Sequence, residues 1–519
     1  MSGNIYLTGF MGAGKSTVGR LLAKALGRRL VDLDDPVSRR LGLPIAEAFA
    51  RLGEEAFRAA ESAELRRLAR RRGLVVATGG GAPMDPANRA LMRASGTIVH
   101  LAASLEGCRS RLGPEQAAAR PLWRDPAALE RLFASRQEAY ADCDLRVAVN
   151  GQGPGQVAAA VIRGLLGQDE FVLEMEGRPC RVTSTWDAPS ALAREIQGRR
   201  VVVLTDRKVT GLHLERYLAV LEEPLVIALA PGERSKSLRT AERVYQAMLD
   251  ARLERGDLLV AVGGGVVTDL GAFVAATYKR GLGLALASTT LLGCVDAAIG
   301  GKAAVNLGPA KNQVGCFTHP QAVLLDLQAL GTLPRAQRVQ GLAEAYKTGL
   351  VAGRELASLV ERDMPSLLGG DVLGLAPVVR RAARAKAAVV AADFREGGRR
   401  AILNLGHTYG HALEGWHRYR LGHGQAVAAG MMVAAALSAG RGLLAGEEAE
   451  RIAGTTRPLL PRKLDWAPAG EAWRIMLNDK KNQKGKVRFV LLRGAGRPVV
   501  TDDVTPGELA QAIAKVKGG

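Results

Sequence analysis

The sequence predicts an α/β protein in three parts: a small α/β domain with a parallel sheet, a second α/β domain, and a mainly α-helical domain. Three observations lead there. Short apolar runs alternate with helical stretches from residue 4 to about residue 288, the pattern of strand–helix–strand units. Two of these runs end in glycine loops that open helices, at Gly9–Lys15 and Gly263–Gly265. From about Gln328 onward Ala, Leu and Val recur at helical spacing, and strand signals nearly vanish until Val487–Leu492. The expected domains are residues 1–168, 169–327 and 328–519, in keeping with a length prior of roughly 150 residues per domain.

Taken in order, Asn4–Phe10 reads as a buried strand, and a helix runs from Lys15 to about Leu26. Leu74–Gly81 and Thr97–Ala103 are further apolar runs that end in turn residues. Asp144–Asn150 is the last strand of the first domain, with a small-residue helix after it. The pattern breaks over Gly167, Gln168, Asp169 and Glu170, which places the boundary. Val201–Asp206, Leu225–Ala230, Asp257–Gly265 and Leu282–Ser288 are the strands of the second domain.

The net charge of +20 suits nucleic acid, a membrane surface or small anions. The arginines are scattered and aromatics make up only 4 %, so a nucleic-acid platform is not expected and anionic small molecules are. The five cysteines (Cys108, Cys143, Cys180, Cys294 and Cys316) are far apart and form no CxxC, which excludes a zinc ribbon or a disulfide framework. No apolar stretch reaches the roughly 18 residues a membrane helix needs, and Met1–Phe10 lead straight into a strand. A cytoplasmic protein with no membrane partner is expected.

Gly9-Phe10-Met11-Gly12-Ala13-Gly14-Lys15-Ser16-Thr17 fits GxxxxGK[ST] between a strand and a helix, the context of a phosphate-binding P-loop. Glycines let backbone N–H groups converge on phosphates, and the helix amino terminus adds a favourable dipole. Gly12, Gly14, Lys15, Ser16 and Thr17 are therefore the expected ATP contacts, with Ser16 offering a hydroxyl to Mg²⁺. Asp32 and Asp34 alternate at the expected end of the next strand. They suit indirect metal ligation and orientation of an acceptor hydroxyl, or simply a capped strand end.

Together with DLDD, Glu54 through Arg58 and Glu61, Gly79-Gly80-Gly81, Arg120-Pro121-Leu122 and Arg136, this loop resembles shikimate kinase over roughly residues 1–165. The resemblance implies that Asp34, Arg58, Arg136 and the backbone of Gly80 and Gly81 hold shikimate, whose carboxylate suits the arginines. It implies Asp32 near Mg²⁺, Lys15, Asp34 and Arg120 as catalytic, and Arg120 on a mobile lid. A gluconate-type kinase shares the P-loop but not this arginine set.

In the remainder, Gly263-Gly264-Gly265 after an apolar strand permits close approach of a pyrophosphate, although GxGxxG is not met. Asp206, ending a strand, is the kind of acid that bonds a ribose. His407, His411, His417 and His423 fall within one short segment, which favours a metal site, and Glu344 is a candidate carboxylate to complete it. His407 and His411 are four apart and would share a helix face. No HExxH is present, so a zincin protease is not expected.

PGERSK, AVGGGVVTDLGAFVAATYKRG, STTLLGCVDAAIGGKAAVN, AKNQVG, GLAEAYK, LNLGHTYGHALE, GHGQAVAAGM and NDKK occur in that order and resemble 3-dehydroquinate synthase over roughly residues 170–519. The resemblance implies a Rossmann-like NAD-binding α/β domain followed by a helical metal-binding domain. It makes Glu344, His407 and His423 the ligands of Zn²⁺ (or Co²⁺), with His411 on the substrate's phosphate instead. It places Asp296, Lys302, Asn312, Lys347, Arg400, Asn404 and Lys480 around an anionic substrate. Of these, Lys302, Lys347 and Arg400, together with His411, are implied to be catalytic. NAD would be held by Asp206, Glu233, Lys236, Gly264, Gly265, Asp269, Thr289, Thr290, Lys302 and Lys311. Arg280 would reach in from a partner subunit, which implies a homodimer.

The implied pair of reactions is ATP-dependent phosphorylation of shikimate, and conversion of 3-deoxy-D-arabino-heptulosonate 7-phosphate to 3-dehydroquinate with loss of phosphate. The sequence departs from the family pattern at Ser288 (for proline), Thr268 (for glycine), the order Gly271-Ala272, and Ala303-Ala304 (for threonine-glycine), none of which removes a charged residue or ligand named above. Another sugar-phosphate cyclase, a metal-dependent polyol dehydrogenase and a scaffold with dead sites are the competing readings. Intact Lys15, Asp34, Glu344, His407 and His423 speak against the last.

Overall fold

The computed structural model describes residues 3–112, 125–308, 310–477 and 487–518. The chain divides into two compact units, Met1–Gly167 with Asp371–Gly374, and Gln168–Gly370 with Leu375–Gly519.

In the first unit, strands β1 (Asn4–Thr8), β2 (Arg29–Asp32), β3 (Leu74–Ala77), β4 (Gly96–Ala102) and β5 (Leu145–Ala148) form a parallel sheet in the order β2-β3-β1-β4-β5. Every residue of β1 and β3 is buried, as expected where helices cover both faces. Tyr6, Leu33, Phe57, Leu65, Val76 and Ile98 form the core on one side. Because β1 is flanked by β3 and β4, the loop at its carboxyl end opens at the point where the connections diverge, where α/β sheets bind ligands. One expectation fails locally. β2 stops at Asp32, and Asp34 opens the helix Asp34–Leu41, so the two aspartates do not alternate along a strand. The helix Ile45–Ala69 is broken at Gly53 (φ 80°), which re-aims the half that carries Arg58 and Glu61.

The second unit begins with a hairpin that sequence patterning did not reveal, β6 (Asp169–Met175) and β7 (Arg178–Thr185). Its two turn residues, Glu176 and Gly177, both have positive φ (51° and 75°), the geometry of a tight hairpin turn. The other strands of the main sheet are β8 (Val201–Asp206), β9 (Leu225–Leu229), β10 (Leu258–Gly263), β11 (Gly283–Ser288) and β14 (Ala322–Asp326). The order is β6-β7-β14-β11-β10-β8-β9, parallel apart from the first pair. Val203, Val260, Val262, Ala285 and Leu324 are central to its core. A separate hairpin, β12 (Lys302–Leu307) with β13 (Ala310–Phe317), is inserted between β11 and β14 and was also not anticipated.

The helices Arg335–Ala352, Arg354–Gly369, Val372–Ala392, His407–Trp416 and His423–Gly440 then dominate. Helix His423–Gly440 is buried on all sides from Ala426 to Ser438, as its alanine-rich, charge-free sequence requires. Gly430 is what lets it approach its neighbour. A methyl there would strike the carbonyl oxygen of Gly406, itself left-handed at φ 77° just ahead of His407. A short hairpin of β15 (Phe489–Leu492) and β16 (Pro498–Thr501) precedes the last helix, Pro506–Gly518.

Candidate active sites

At the end of β1 the chain turns through Gly12 (φ 83°) and Gly14 (φ 92°), conformations that residues with side chains rarely adopt, and enters helix Lys15–Leu26. Lys15 Nζ donates to the carbonyls of Gly9 (2.8 Å) and Phe10 (3.1 Å), so its charge is held in the mouth of the loop. Ser16 Oγ donates to Asp32 Oδ2 at 2.5 Å, and the Asp34 amide lies 3.4 Å from Asp32 Oδ1. A hydroxyl and a carboxylate set together beside a phosphate cradle fit an octahedral Mg²⁺ that keeps most of its waters.

The acceptor side is built from other elements. Arg58 Nη1 donates to Glu61 Oε2 at 2.7 Å, and its guanidinium lies over the rings of Phe49 and Phe57 and packs against Gly81. Burial raises the Glu61 carboxyl pKa, Arg58 opposes this, and the charge of Asp34 adds to it, so Asp34 belongs to the same cluster. Tyr140 Oη donates to the Gly80 carbonyl at 2.6 Å, and burial pushes its phenol up to about 12 against the pull of Arg136. Arg136 itself lies over the Phe10 ring. Asp34, Arg58, Gly80, Gly81 and Arg136 thus converge beside the P-loop. Arg120 lies outside the described residues. Tyr140, and His100 stacked on it, were missed because a tyrosine within a helix and a histidine within a strand carry no motif.

In the second unit a cleft of about 1590 Å³ runs between the main sheet and the helices. It is lined by Asp206, Glu233, Lys236, Gly264, Gly265, Asp269, Thr289 and Thr290, and also by Asp296, Lys302, Lys347, Arg400, Asn404, His407, His411 and His423, with Lys311 and Asn312 on the same wall. Helix Gly265–Thr277 starts at the triple glycine, so free amide groups face the cleft. Asp206 Oδ1 caps the turn after β8 by accepting from the amides of Lys208 and Val209. The departures noted above are absorbed by packing. Thr268 Oγ1 donates back to the carbonyls of Gly264 and Gly265, Gly271 sits under Ala261, and Ser288 and Ala303 are buried. Arg280 is not among the residues lining this cleft, and Lys480 lies outside the described residues.

Glu344 is fully buried on helix Arg335–Ala352. His423 Nε2 and His407 Nε2 stand 3.2 and 3.5 Å from its Oε1, while Lys347 Nζ stands 2.5 Å from Oε2. Neither carboxylate oxygen has a hydrogen bond of sound geometry, which is rare for a buried charge. Two imidazoles facing such a carboxylate, all three within 4.8 Å, fit a divalent cation with an open position. His411 is one turn along from His407, its ring centroid 5.3 Å away, and it forms a second possible ligand group with Glu414 and His423. Burial disfavours charge on His423, but the negative charges of Glu344 and Glu414 close to its two ring nitrogens outweigh it and raise its pKa to about 10.

Three participants were missed. Glu414 is buried, 3.5 Å from His423 Nδ1 and 3.6 Å from Lys311 Nζ. Lys386 donates to Asp296 Oδ1 at 2.7 Å from a helix whose sequence is plain Ala/Arg/Lys. Glu396 pairs with Lys302 and lies 3.5 Å from Asn404 Nδ2. Arg400 is buried and donates to the carbonyls of Phe394 and Gly300.

Residues 11–165 match the family model described as shikimate kinase. Residues 226–340 and 341–482 match those described as the amino- and carboxyl-terminal parts of 3-dehydroquinate synthase. The 3-dehydroquinate synthase of Halorhodospira halophila is 40 % identical over 326 residues, 62 % of this chain and 92 % of its own length. That of Brucella anthropi is 42 % identical over 332 residues, 62 % of this chain and 88 % of its own. A solved 2-epi-5-epi-valiolone synthase from Streptomyces hygroscopicus, with NAD⁺ and Zn²⁺ bound, is 29 % identical with a TM-score of 0.60, over 65 % of this chain and 96 % of that one.

Proposed function

This chain belongs to the 3-dehydroquinate synthase family and carries a shikimate kinase domain ahead of it, and on that premise we propose how its residues perform the two reactions. The domains divide at 168/169 and 327/328, as the strand and helix patterns suggest. The first binds ATP with Mg²⁺, and the other two form the synthase, with NAD and Zn²⁺ or Co²⁺.

In the kinase, Gly12, Gly14 and Thr17 cradle the phosphates, and Lys15 leaves its carbonyl partners to follow the transferred group. Ser16 and Asp32 hold the magnesium side. Asp34 orients the shikimate hydroxyl and accepts its proton, while Arg58 and Arg136 clamp the carboxylate beside Gly80 and Gly81. Arg120 joins from outside the described residues. The observation that carries this reading is the convergence of Asp34, Arg58 and Arg136 beside the Ser16–Asp32 pair.

In the synthase, Glu344, His407 and His423 hold the metal, and the two imidazoles that face the buried Glu344 carboxylate carry that assignment. When bound, the metal would polarise a substrate hydroxyl, and NAD⁺ would take up a hydride from the substrate and return it within the same turnover. Asp206, Glu233, Lys236, Gly264, Gly265, Asp269, Thr289 and Thr290 bind the dinucleotide. Lys302, Lys347, Arg400, Asn404 and Lys480, with His411, Lys311 and Asn312, neutralise the substrate's carboxylate and phosphate. Asp296 holds Lys386 and faces Lys347 at 3.9 Å, which keeps that cationic wall in place. Arg280 acts across a homodimer. Its left-handed backbone (φ 63°), directly after Lys279 at 46°, supports a position fixed for function. The enzyme acts in the cytoplasm on small molecules.

The deciding assay strips the metal and measures phosphate release from the heptulosonate phosphate without ATP. Release that requires added zinc and NAD, yields 3-dehydroquinate and accumulates no NADH supports the reading. NADH rising with turnover would point to a dehydrogenase, and a different ring product to another cyclase.

A further inference from the structure

The hairpin β12–β13 carries residues assigned above to both ligands of the synthase, Lys302, Lys311 and Asn312, yet it belongs to no larger sheet. Its strands pair regularly except between Val305 and Leu307, where the register shifts. The residue at that irregularity is Asn306. A shifted register frees a residue from its partner strand and re-aims its side chain. Here the freed backbone turns outward. The Asn306 amide donates to the Lys236 carbonyl at 2.9 Å, and Asn306 bridges Ser237 in parallel fashion. The hairpin is therefore docked on the Pro231–Ser237 turn, which holds Glu233 and Lys236.

The side chain completes the join. Asn306 Nδ2 donates to Glu233 Oε1 at 2.8 Å, and Asn306 Oδ1 accepts from the Asn312 backbone amide at 2.9 Å. These partners fix the amide's orientation, because a carboxylate only accepts and an N–H only donates. Asn312 is held left-handed at φ 53°, and its Oδ1 accepts from Lys236 Nζ at 2.6 Å. Lys236 also pairs with Asp269. A closed ring of contacts runs Glu233–Asn306–Asn312–Lys236. Two of its members are assigned to the dinucleotide and one to the substrate, and Asn306 was assigned to neither.

We propose that Asn306 is a positioning residue that couples the dinucleotide and substrate subsites. When NAD engages Glu233 and Lys236, their orientation is passed through one carboxamide to Asn312, and the hairpin that presents Lys302 and Lys311 is set with it. Coupling of this kind is reciprocal, so substrate must tighten NAD binding by the same factor by which NAD tightens substrate binding. Only a group that donates on one side and accepts on the other can do this. An aspartate keeps the acceptor for Asn312 but sets a second negative charge against Glu233.

This inference rests on the NAD assignment of the preceding section. Its test is calorimetric titration of NAD into metal-stripped full-length protein, with and without the heptulosonate phosphate, in wild type, N306A and N306D. Wild type is expected to bind NAD more tightly when substrate is present. Both variants should weaken NAD binding about tenfold, N306D at least as much as N306A, and should erase the effect of substrate. In zinc-loaded protein KM should rise more than kcat falls. A variant that keeps the wild-type melting profile and the wild-type substrate effect overturns the proposal. If N306A loses its fold, N306D decides alone, since it retains the contact to Asn312. Wild type that fails to bind NAD at all overturns the parent assignment instead.

Discussion

Single side chains decide both sites, and those that matter most are buried charges with more than one partner. Glu414 touches His423 Nδ1 on one side and Lys311 on the other, an arrangement that orients from behind the imidazole proposed to hold the metal. Glu414→Gln should lower zinc affinity about 10- to 100-fold, read by competition with a chelator, while shikimate phosphorylation by the same preparation stays unchanged. In the kinase unit, burial first, and the charges of Arg146 and Lys15 second, depress the His100 pKa from 6.5 to about 4. The unfolded chain takes up that proton first, so the stabilising effect of neutral His100 is whole above pH 6.5 and is lost as pH falls toward 4. The loss amounts to about 2 kcal/mol after allowance for screening. Acid unfolding of His100→Phe should lack this part of the slope, and an identical slope would refute it. Neither residue could be picked out beforehand. Glu414 closes a recognised motif without a role, and His100 sits in an ordinary apolar strand.

At the level of elements, the strands that lead into glycine loops were legible, because a buried parallel strand is a continuous apolar run and its loop must be glycine-rich. The hairpins β6–β7 and β12–β13 were not. β6 (DEFVLEM) and β7 (RPCRVTST) neither alternate cleanly nor form a continuous apolar run, and β12–β13 owes its place to Asn306 and its docking turn, which lie far apart in the chain. Asp34 was put on a strand because alternation was assumed to continue past Asp32, where a helix in fact begins. Helix His423–Gly440 makes the sharpest prediction at this scale. Gly430→Ala places a methyl against the Gly406 carbonyl one residue before His407 and should destabilise the second unit by about 2 kcal/mol or more. The calorimetric transition of that unit should fall and zinc retention should weaken with it. An unchanged transition would mean the helices can part without cost.

For the molecule as a whole, a charge of +20 is carried by a protein whose proposed substrates are all anions. KM for shikimate, ATP and the heptulosonate phosphate should each rise with ionic strength, by roughly tenfold between low salt and 0.5 M if steering dominates. Flat KM values would leave the charge a matter of solubility. The two reactions are not consecutive, so nothing requires material to pass between the sites. Residues 1–167 and 168–519 produced separately should each keep their turnover, and a deficit in either would reveal coupling. The tight turn at Glu176–Gly177 bears on this. It folds β6 back on β7 as the outermost, antiparallel strand, with register fixed from Asp169 opposite Ser184 to Met175 opposite Arg178. The chain thus enters the synthase at the rim of its sheet through a locally clamped hairpin. Such an entry is a ready graft point. Replacement of residues 1–167 by a reporter at this seam should therefore leave the synthase turnover unchanged.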